Sequence, residues 1–388
     1  MKRNIFFYYL FVFLKNFLFF SAVLVPFYTQ WGGINQAKIQ LLQSWFMFWL
    51  FLLEMPTGVV ADYFGRKYSL ALGALIFGLG VFVYSTFPSF EVFLLGEFLA
   101  ATGAALISGA DEALLYDSLK EKGEGDKAQK FFGFAETLRL LAILLSAPLG
   151  GVIASKFGLN FPMKFSSLPL FLAAGTILAV KEPKRHSQSE SKRYLEIFKE
   201  GLNFWIKEKG FRIWVINGVL VSAASYFVVW FYQPLLQKIN FPIVYFGFVH
   251  SFLSLSQILV SANFTKLERM VGSSKDYLRG SALLTAFFFI LVALFPRLET
   301  IFLFIFFSGG FGLTRMVYVS AYLQKFIPSS QRATIVSSIS MFRRFFLMLF
   351  NPIVGFAATK NLFLTLVFLG LLPLLTFLPV FQRAEVGE

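Results

Sequence analysis

The chain has 388 residues, of which 57% are hydrophobic, 14% are charged and 54 are phenylalanine. This composition excludes a water-soluble globular protein, and the absence of cysteine excludes a disulfide framework and a thiolate metal site. Apolar runs of about 20 residues, long enough to cross a hydrocarbon core of roughly 30 Å, recur along the whole chain. The alternating pattern of a membrane β-barrel is not found, so we expect an all-α membrane protein.

The apolar runs predict twelve transmembrane helices, numbered helix 1 to helix 12 in chain order. They lie near residues 5–30, 39–61, 68–87, 90–118, 129–156, 160–181, 211–234, 243–265, 277–296, 298–324, 331–357 and 360–382. With both termini on one side of the membrane, 24 of the 35 Lys and Arg residues fall on that side, six on the other side and five inside helices. This bias is typical of cytoplasmic loops. We therefore expect a protein of the cell (inner) membrane with both termini cytoplasmic, and the net charge of +14 requires no nucleic acid.

The most polar segment, KEPKRHSQSESKRYLEIFKE, begins at residue 181 and divides the chain into two halves. We expect an N-terminal six-helix bundle over 1–183, a cytoplasmic linker over 184–209 and a C-terminal six-helix bundle over 210–388. The halves are related, because 129–156 and 333–360 align without gaps at an offset of 204 residues. The matched pairs are Pro148 with Pro352, Gly151 with Gly355, Lys156 with Lys360 and Arg139 with Arg343. Secondary transporters are built from such repeats, so the two bundles are predicted to be pseudo-symmetric.

The segment GVVADYFGRK, residues 58–67, joins helices 2 and 3. Its spacing resembles the loop between helices 2 and 3 of the major facilitator superfamily: a glycine, an aspartate four residues later, a glycine three beyond it, then two basic residues. Gly58, Asp62, Gly65, Arg66 and Lys67 fill these positions. The helix count and the central linker also match, so the resemblance covers the whole chain. It implies a twelve-helix transporter that works by alternating access, acts as a monomer and needs no cofactor.

Each position of this loop has an expected task. Gly58 allows close helix approach, Gly65 permits the turn, and Asp62 faces the positive end of helix 11. Arg66 and Lys67 meet lipid headgroups or the other half, or they are ordinary cytoplasmic anchors.

The segment SAPLGGVI in helix 5 resembles the antiporter motif of drug-exporting members of the same family. Ala147 replaces the first glycine of that motif, and the pair Gly150–Gly151 comes one residue early. The segment is either a version of the motif or a proline-glycine kink for packing.

Ionisable residues inside the membrane are costly and mark functional sites. The first half has more acids than bases, the second half has bases alone, and together the two halves balance. These residues are Glu54, Glu97, Asp111, Glu112, Glu136, Lys15 and Arg139 in the first half, and Arg315, Arg343 and Arg344 in the second.

Asp111 of helix 4 falls on Arg315 of helix 10 at the same offset of 204 residues. We expect Asp111 or Glu112 to meet Arg315 as a gate when the cytoplasmic side is closed, and the other acid to pair with Arg139. Arg139 also has Glu136 three residues away, which favours a local ion pair.

Glu97 of helix 4 lies far from this gate and is the candidate for proton coupling, because a carboxyl group in a half-dry site suits a proton carrier. Its alternative is a glutamate that reaches the headgroups. The candidates for the cavity lining are Lys15, Asn16, Asn217 and Tyr226. Lys15 either neutralises a surplus acidic residue of its own half or extends its ammonium group to the membrane surface. Arg343 or Arg344 is expected to face the cavity.

The sequence thus predicts a secondary active transporter, coupled to protons, that exports a small amphipathic or drug-like compound. The alternatives are a proton symporter that imports a small, anionic solute, and a membrane receptor or scaffold without transport. An enzyme is not expected, because there is no nucleotide-binding GxxxxGK loop and the two histidines are unrelated in position. The expected partners are the lipid bilayer, a small-molecule substrate and protons.

Overall fold

Every element of the computed structural model is a helix or a helical turn, within the residues that it describes: 2–108, 110–121, 123–183, 204, 207–324, 327 and 332–382. Ten helical segments in these ranges are long and apolar enough to cross a membrane. The 29-residue helix Gln36–Phe64 and the shorter apolar helix Leu362–Phe377 account for the remaining two segments of the twelve predicted.

Within the described residues, seven of the transmembrane segments are single α-helices and five are interrupted. Helices 2, 3, 5, 6, 7, 9 and 11 are Gln36–Phe64, Arg66–Tyr84, Ala128–Phe157, Phe161–Leu178, Lys209–Lys238, Ser274–Leu294 and Arg332–Lys360. Helix 1 is Lys2–Asn16 with short turns Phe19–Ala22, Leu24–Pro26 and Phe27–Trp31; helix 4 is Phe90–Ser108 and Asp111–Lys120; helix 8 is Ile243–Tyr245, Phe246–Ala262 and Phe264–Val271. Helix 10 is Leu298–Phe304, the π-helix Ile305–Phe311 and Gly312–Leu323, and helix 12 is Leu362–Leu371, Leu372–Phe377 and Pro379–Gln382.

The interruption of helix 4 corrects the prediction of one continuous helix over 90–118. The first part ends at Ser108, and a new helix starts at Asp111 and runs to Lys120. Asp111 and Glu112 therefore occupy the first turn of a helix. The unpaired N–H groups of a first turn carry partial positive charge and stabilise carboxylates.

The chain folds into two compact units. The first comprises Met1–Tyr194 and Ile243–Ser251, and the second comprises Leu195–Pro242 and Phe252–Glu388. Ile243–Ser251 of helix 8 is grouped with the first unit because the beginning of helix 8 packs on helix 5. The Ser251 hydroxyl donates to the Leu144 carbonyl at 2.9 Å.

Small residues allow this packing at the SAPLGGVI segment. A Cβ on Gly151 would lie 2.6 Å from the Val244 carbonyl oxygen, and one on Gly247 would meet the backbone of Ala147 and Pro148. A Cβ on Gly150 would meet the backbone of Phe19 in helix 1.

Helices 3 and 4 of the first unit also approach each other closely at glycines. A Cβ on Gly73 would lie 2.8 Å from the Gly103 carbonyl oxygen, and one on Gly80 would lie 2.8 Å from the Ala100 nitrogen. Small residues let helix backbones approach in this way in membranes. The apolar core of the first unit includes Phe11, Leu70, Leu114 and Ala173, and that of the second includes Phe211, Val215, Leu278, Val319 and Ile335.

Candidate functional site

The first charged cluster lies where the α-helical part of helix 1 ends and the second part of helix 4 begins. Lys15 Nζ and Asp111 Oδ2 form an ion pair, and 15% and 17% of these side chains are exposed. The Lys15 ammonium also lies 5.1 Å from the centroid of the Phe11 ring. A matched pair avoids the large cost of one buried ion without a partner. Asp111 is therefore stabilised inside its own unit, by Lys15 and by the helix N-terminus.

The contacts near this pair bear on the partners that the sequence predicted for Lys15 and Arg139. Lys15 pairs with the surplus acid of its own half, and Glu112 is exposed beside it. The Asn16 amide donates to the Val12 carbonyl at 2.7 Å. Arg139 pairs with Glu136 instead of the helix 4 acids, with distances of 2.8 and 2.6 Å. This second pair is exposed.

The loop between helices 2 and 3 is anchored within the first unit. Gly65 has φ 118°, a conformation that favours glycine, and it ends helix 2 as predicted for the turn. Arg66 forms an ion pair with Asp117 and donates to the Ala113 carbonyl at 2.7 Å, so its side chain is bound by helix 4. A carboxylate and a carbonyl of its own bundle thus bind the Arg66 guanidinium, and its contact with headgroups or with the other half stays a prediction.

Glu182 also contacts this loop, and no pattern in the sequence predicted the contact. Its two carboxylate oxygens accept from the backbone N–H groups of Arg66 at 2.8 Å and Lys67 at 3.1 Å. It thus stabilises the first turn of helix 3. Lys67 Nζ lies 4.9 Å from the centroid of the Tyr68 ring.

Two further predictions for the loop between helices 2 and 3 concern Gly58 and Asp62. Within the first unit, no described heavy atom lies within 4 Å of a Cβ built on Gly58, so the expected close approach is not found there. The side chain of Asp62 lies outside the described residues, and its contact with helix 11 stays a prediction.

Glu97 is buried near the end of the first unit opposite to the Lys15–Asp111 pair. Its side chain is 6% exposed, and its Oε1 accepts from Gln43 Nε2 at 3.0 Å and from the Tyr28 hydroxyl at 3.4 Å. The Tyr28 hydroxyl oxygen also lies 3.2 Å from the Tyr84 hydroxyl, from which it can accept a hydrogen bond. The residues bonded to Glu97 in the described ranges are neutral, so hydrogen bonds alone stabilise its carboxyl group.

Arg315 is buried within the second unit, with 1% exposed. Its guanidinium donates to Asn217 Oδ1 at 2.6 Å, to the Leu278 carbonyl at 2.7 Å and to the Ser281 hydroxyl. The hydrogen-bond acceptors of Arg315 within this unit are thus three neutral oxygens of helices 7 and 9. The sequence predicted a carboxylate partner. Asn217, expected at the cavity, acts as one of these acceptors. The pairing of Asp111 with Arg315 stays a prediction.

A pocket between helices 10 and 11 of the second unit contains one of the two arginines of helix 11 that are candidates to face the cavity. Arg343 lines it, and the polar side chains beside it are Ser320, Gln324 and Ser340. Which of Arg343 and Arg344 faces the transport cavity stays a prediction. Tyr226 of helix 7 is half-buried, with its ring 6.4 Å from that of Trp230.

The family model of the Major Facilitator Superfamily matches residues 5–351. The chain belongs to this family. It is accordingly a multi-pass membrane transporter, and the expected family and fold are confirmed.

Solved structures of major facilitator transporters share the fold. The chain is similar to the nucleoside transporter NupG, with a TM-score of 0.82, 15% identity, and coverage of 98% of this chain and 99% of that one. It is also similar to a POT family transporter solved with 5-aminolevulinic acid, with a TM-score of 0.77, 12% identity and coverage of 98% and 96%. At these identities the likeness concerns the fold alone.

Curated relatives include drug-resistance proteins. The chain is 29% identical over 157 residues to multidrug resistance protein 2 of Bacillus subtilis, covering 38% of each chain. It is 22% identical over 192 residues to quinolone resistance protein NorA of Staphylococcus aureus, covering 49% of this chain and 48% of NorA. An MFS-type transporter of Methanocaldococcus jannaschii is 20% identical over 260 residues, 66% of this chain and 65% of that one. The chain therefore spans about two thirds or less of the length of these relatives.

Proposed function

We propose that this transporter is a secondary active, proton-coupled exporter of small amphipathic or drug-like compounds. The observation that carries the proposal is Glu97, a carboxyl group with 6% exposure whose partners are the neutral groups of Gln43 and Tyr28. A carboxylate buried without a counter-charge is costly, and binding a proton removes that cost. Glu97 can therefore take up a proton when its site is dry and release it when the site is wet, as a proton carrier in alternating access requires.

Two features favour export of drug-like compounds. Two of the relatives are named a multidrug resistance protein and a quinolone resistance protein. The SAPLGGVI segment of helix 5, with Gly150 and Gly151 in backbone contact with neighbouring helices, resembles the antiporter motif. The positive-inside distribution of Lys and Arg supports a location in the cell membrane with both termini cytoplasmic.

A second candidate is a proton symporter that imports a small anionic solute. The pocket that contains Arg343, Ser320 and Ser340 favours it, because a guanidinium flanked by hydroxyl groups suits a carboxylate or phosphate.

The test uses proteoliposomes that enclose a pH-sensitive dye. Ethidium and a quinolone, added outside in separate experiments, enter the lumen. Antiport moves protons out and makes the lumen more alkaline, whereas symport makes it more acidic. We expect alkalinisation in the wild type and none in Glu97→Gln, which cannot carry the proton. Ethidium exchange at equal internal and external pH should persist in Glu97→Gln.

Glu91→Gln is the matched control, because Glu91 lies on the same helix and is exposed. We expect it to retain the pH response. An undiminished response in Glu97→Gln would contradict the assignment of the proton site, and acidification in the wild type would favour the import mechanism.

A further inference from the structure

A second pocket of the second unit gathers three basic residues from two helices. Lys275 and Arg279 of helix 9 and Arg315 of helix 10 line it, together with Trp214 and Asn217 of helix 7. The pocket is separate from the one that contains Arg343. Neither the transport cycle proposed above nor the predicted gate uses Lys275 or Arg279.

Arg315 gives the strongest indication of a ligand. Its side chain is 99% buried, and its Nε has no hydrogen-bond acceptor among the described residues. A buried donor without a partner costs free energy, so it is normally satisfied by some group. The Asn217 Oδ1 is already occupied by Arg315 Nη2, so the group that Asn217 can offer to a ligand is its Nδ2 amide, which is also a donor.

The electrostatics of the site also favour an anion. Lys275 and Arg279 lie in the first two turns of helix 9, which begins at Ser274. Basic residues at this end of a helix oppose the macrodipole, because the first turn itself carries partial positive charge. Asp276 Oδ1 is 3.6 Å from Arg279 Nη1 and offsets one of the three basic charges. An anion in the pocket would be attracted by the buried Arg315 guanidinium and by the helix end.

The positive-inside bias accounts for exposed loop lysines but does not explain this arrangement. That bias acts on residues near the membrane surface, whereas Arg315 is 1% exposed inside a helix bundle. The pocket also has apolar walls, formed by Ile213, Leu278 and Phe381. A site with convergent donors on one side and apolar side chains on the other matches a phosphate group attached to an apolar or glycerol moiety.

We propose that this pocket binds a phosphate group, carried either by an anionic phospholipid headgroup or by a soluble phosphate compound. Arg315 Nε, Arg279, Lys275 and the Asn217 amide donate to its oxygens. The proposal is independent of proton coupling at Glu97 and of the direction of transport.

The test measures binding to the purified full-length protein in a neutral detergent. The probes are dioleoylphosphatidylglycerol, dioleoylphosphatidylcholine, inorganic phosphate and glycerol 3-phosphate, with thermal stability and native mass spectrometry as readouts. We expect saturable binding of one phosphatidylglycerol, or of the soluble phosphates, with a rise in Tm. The double variant Lys275→Gln/Arg279→Gln should weaken the apparent affinity at least tenfold.

The matched control is Lys266→Gln/Arg269→Gln, which removes the same charge from exposed residues of the adjacent helix Phe264–Val271. It should bind as the wild type does. Binding of phosphatidylglycerol without competition from glycerol 3-phosphate assigns a lipid site, and competition assigns a soluble phosphate. Equal losses in the two double variants would show unspecific attraction and overturn the proposal, as would the absence of binding by every anionic probe.

Discussion

Lys15 and Asp111 show how a charged pair can be stable inside an apolar bundle. Both side chains are largely buried, at 15% and 17% exposure, so neither is solvated by bulk water. Replacing Lys15 by Met leaves the Asp111 carboxylate without its counter-charge, and we expect the free energy of unfolding to fall by about 3 kcal/mol. Replacing both residues, Lys15→Met with Asp111→Asn, should restore part of the loss. A double-mutant cycle in detergent, followed by chemical unfolding, measures the coupling, expected at about 1–2 kcal/mol.

The pair Glu136–Arg139 is the control for this cycle. It has good geometry, at 2.6 Å, but its side chains are 56% and 38% exposed. Because water screens exposed pairs, the same cycle there should give about 0.5 kcal/mol or less. Equal coupling energies for the two pairs would contradict the view that burial makes Lys15–Asp111 the stronger interaction.

The types of these residues could be predicted from the sequence, but their partners only in part. A charge inside an apolar run indicates a functional residue, and this criterion selects Lys15, Asp111, Glu97 and Arg315. The spacing of three residues predicts the ion pair between Glu136 and Arg139. The partners of Arg66 lie 51 and 116 residues away, at Asp117 and Glu182, and periodicity along one helix contains no information on such contacts. Charge balance likewise contains no information on neutral acceptors such as Asn217 Oδ1, which binds Arg315 within its own unit.

At the scale of the helices, the sequence predicts where each segment lies but not where it is interrupted. Hydropathy depends on composition, and a break such as that after Ser108 leaves the composition apolar. The interruptions of helices 4 and 10 nevertheless determine the charged sites: Asp111 begins a helix, and Arg315 follows the π-helix Ile305–Phe311 by four residues. Broken helices are common where transporters bind ions and substrates.

The contact between helices 3 and 4 permits a test of glycine packing. A Cβ on Gly103 would lie 2.5 Å from the Gly73 carbonyl oxygen and 2.6 Å from the Phe77 nitrogen, and both are backbone atoms that cannot move alone. Gly103→Ala should therefore separate the helices and lower the free energy of unfolding by about 1–3 kcal/mol. Thermal unfolding of the purified variant measures the change.

Gly175 of helix 6 provides the comparison, since no described atom lies within 4 Å of a Cβ built there. Gly175→Ala should leave stability unchanged or raise it slightly, because alanine has the higher helix propensity. A loss as large as that of Gly103→Ala would show that removing glycine, and not the steric contact, causes the effect.

At the scale of the whole molecule, the distribution of positive charge predicts the orientation of the chain in the membrane. The 24 Lys and Arg residues assigned to the side of the termini, against six on the other side, should hold those loops in the cytoplasm. The chain contains no cysteine, so single cysteines can report the orientation without a background. Suitable exposed positions are Thr86 between helices 3 and 4 and Glu121 after helix 4 in the first half, with Arg297 before helix 10 and Met270 at the end of helix 8 in the second.

We expect a membrane-impermeant maleimide to label Thr86→Cys and Arg297→Cys in intact cells, because these positions lie on the side with few basic residues. Glu121→Cys and Met270→Cys should react only after the membrane is permeabilised, which also serves as the control that these cysteines are accessible. Labelling of the opposite pair in intact cells would reverse the orientation. It would then place the basic pocket of Lys275 and Arg279 on the outer side, where the anionic lipids of the cytoplasmic leaflet could not reach it, and leave soluble phosphates outside the cell as its ligand.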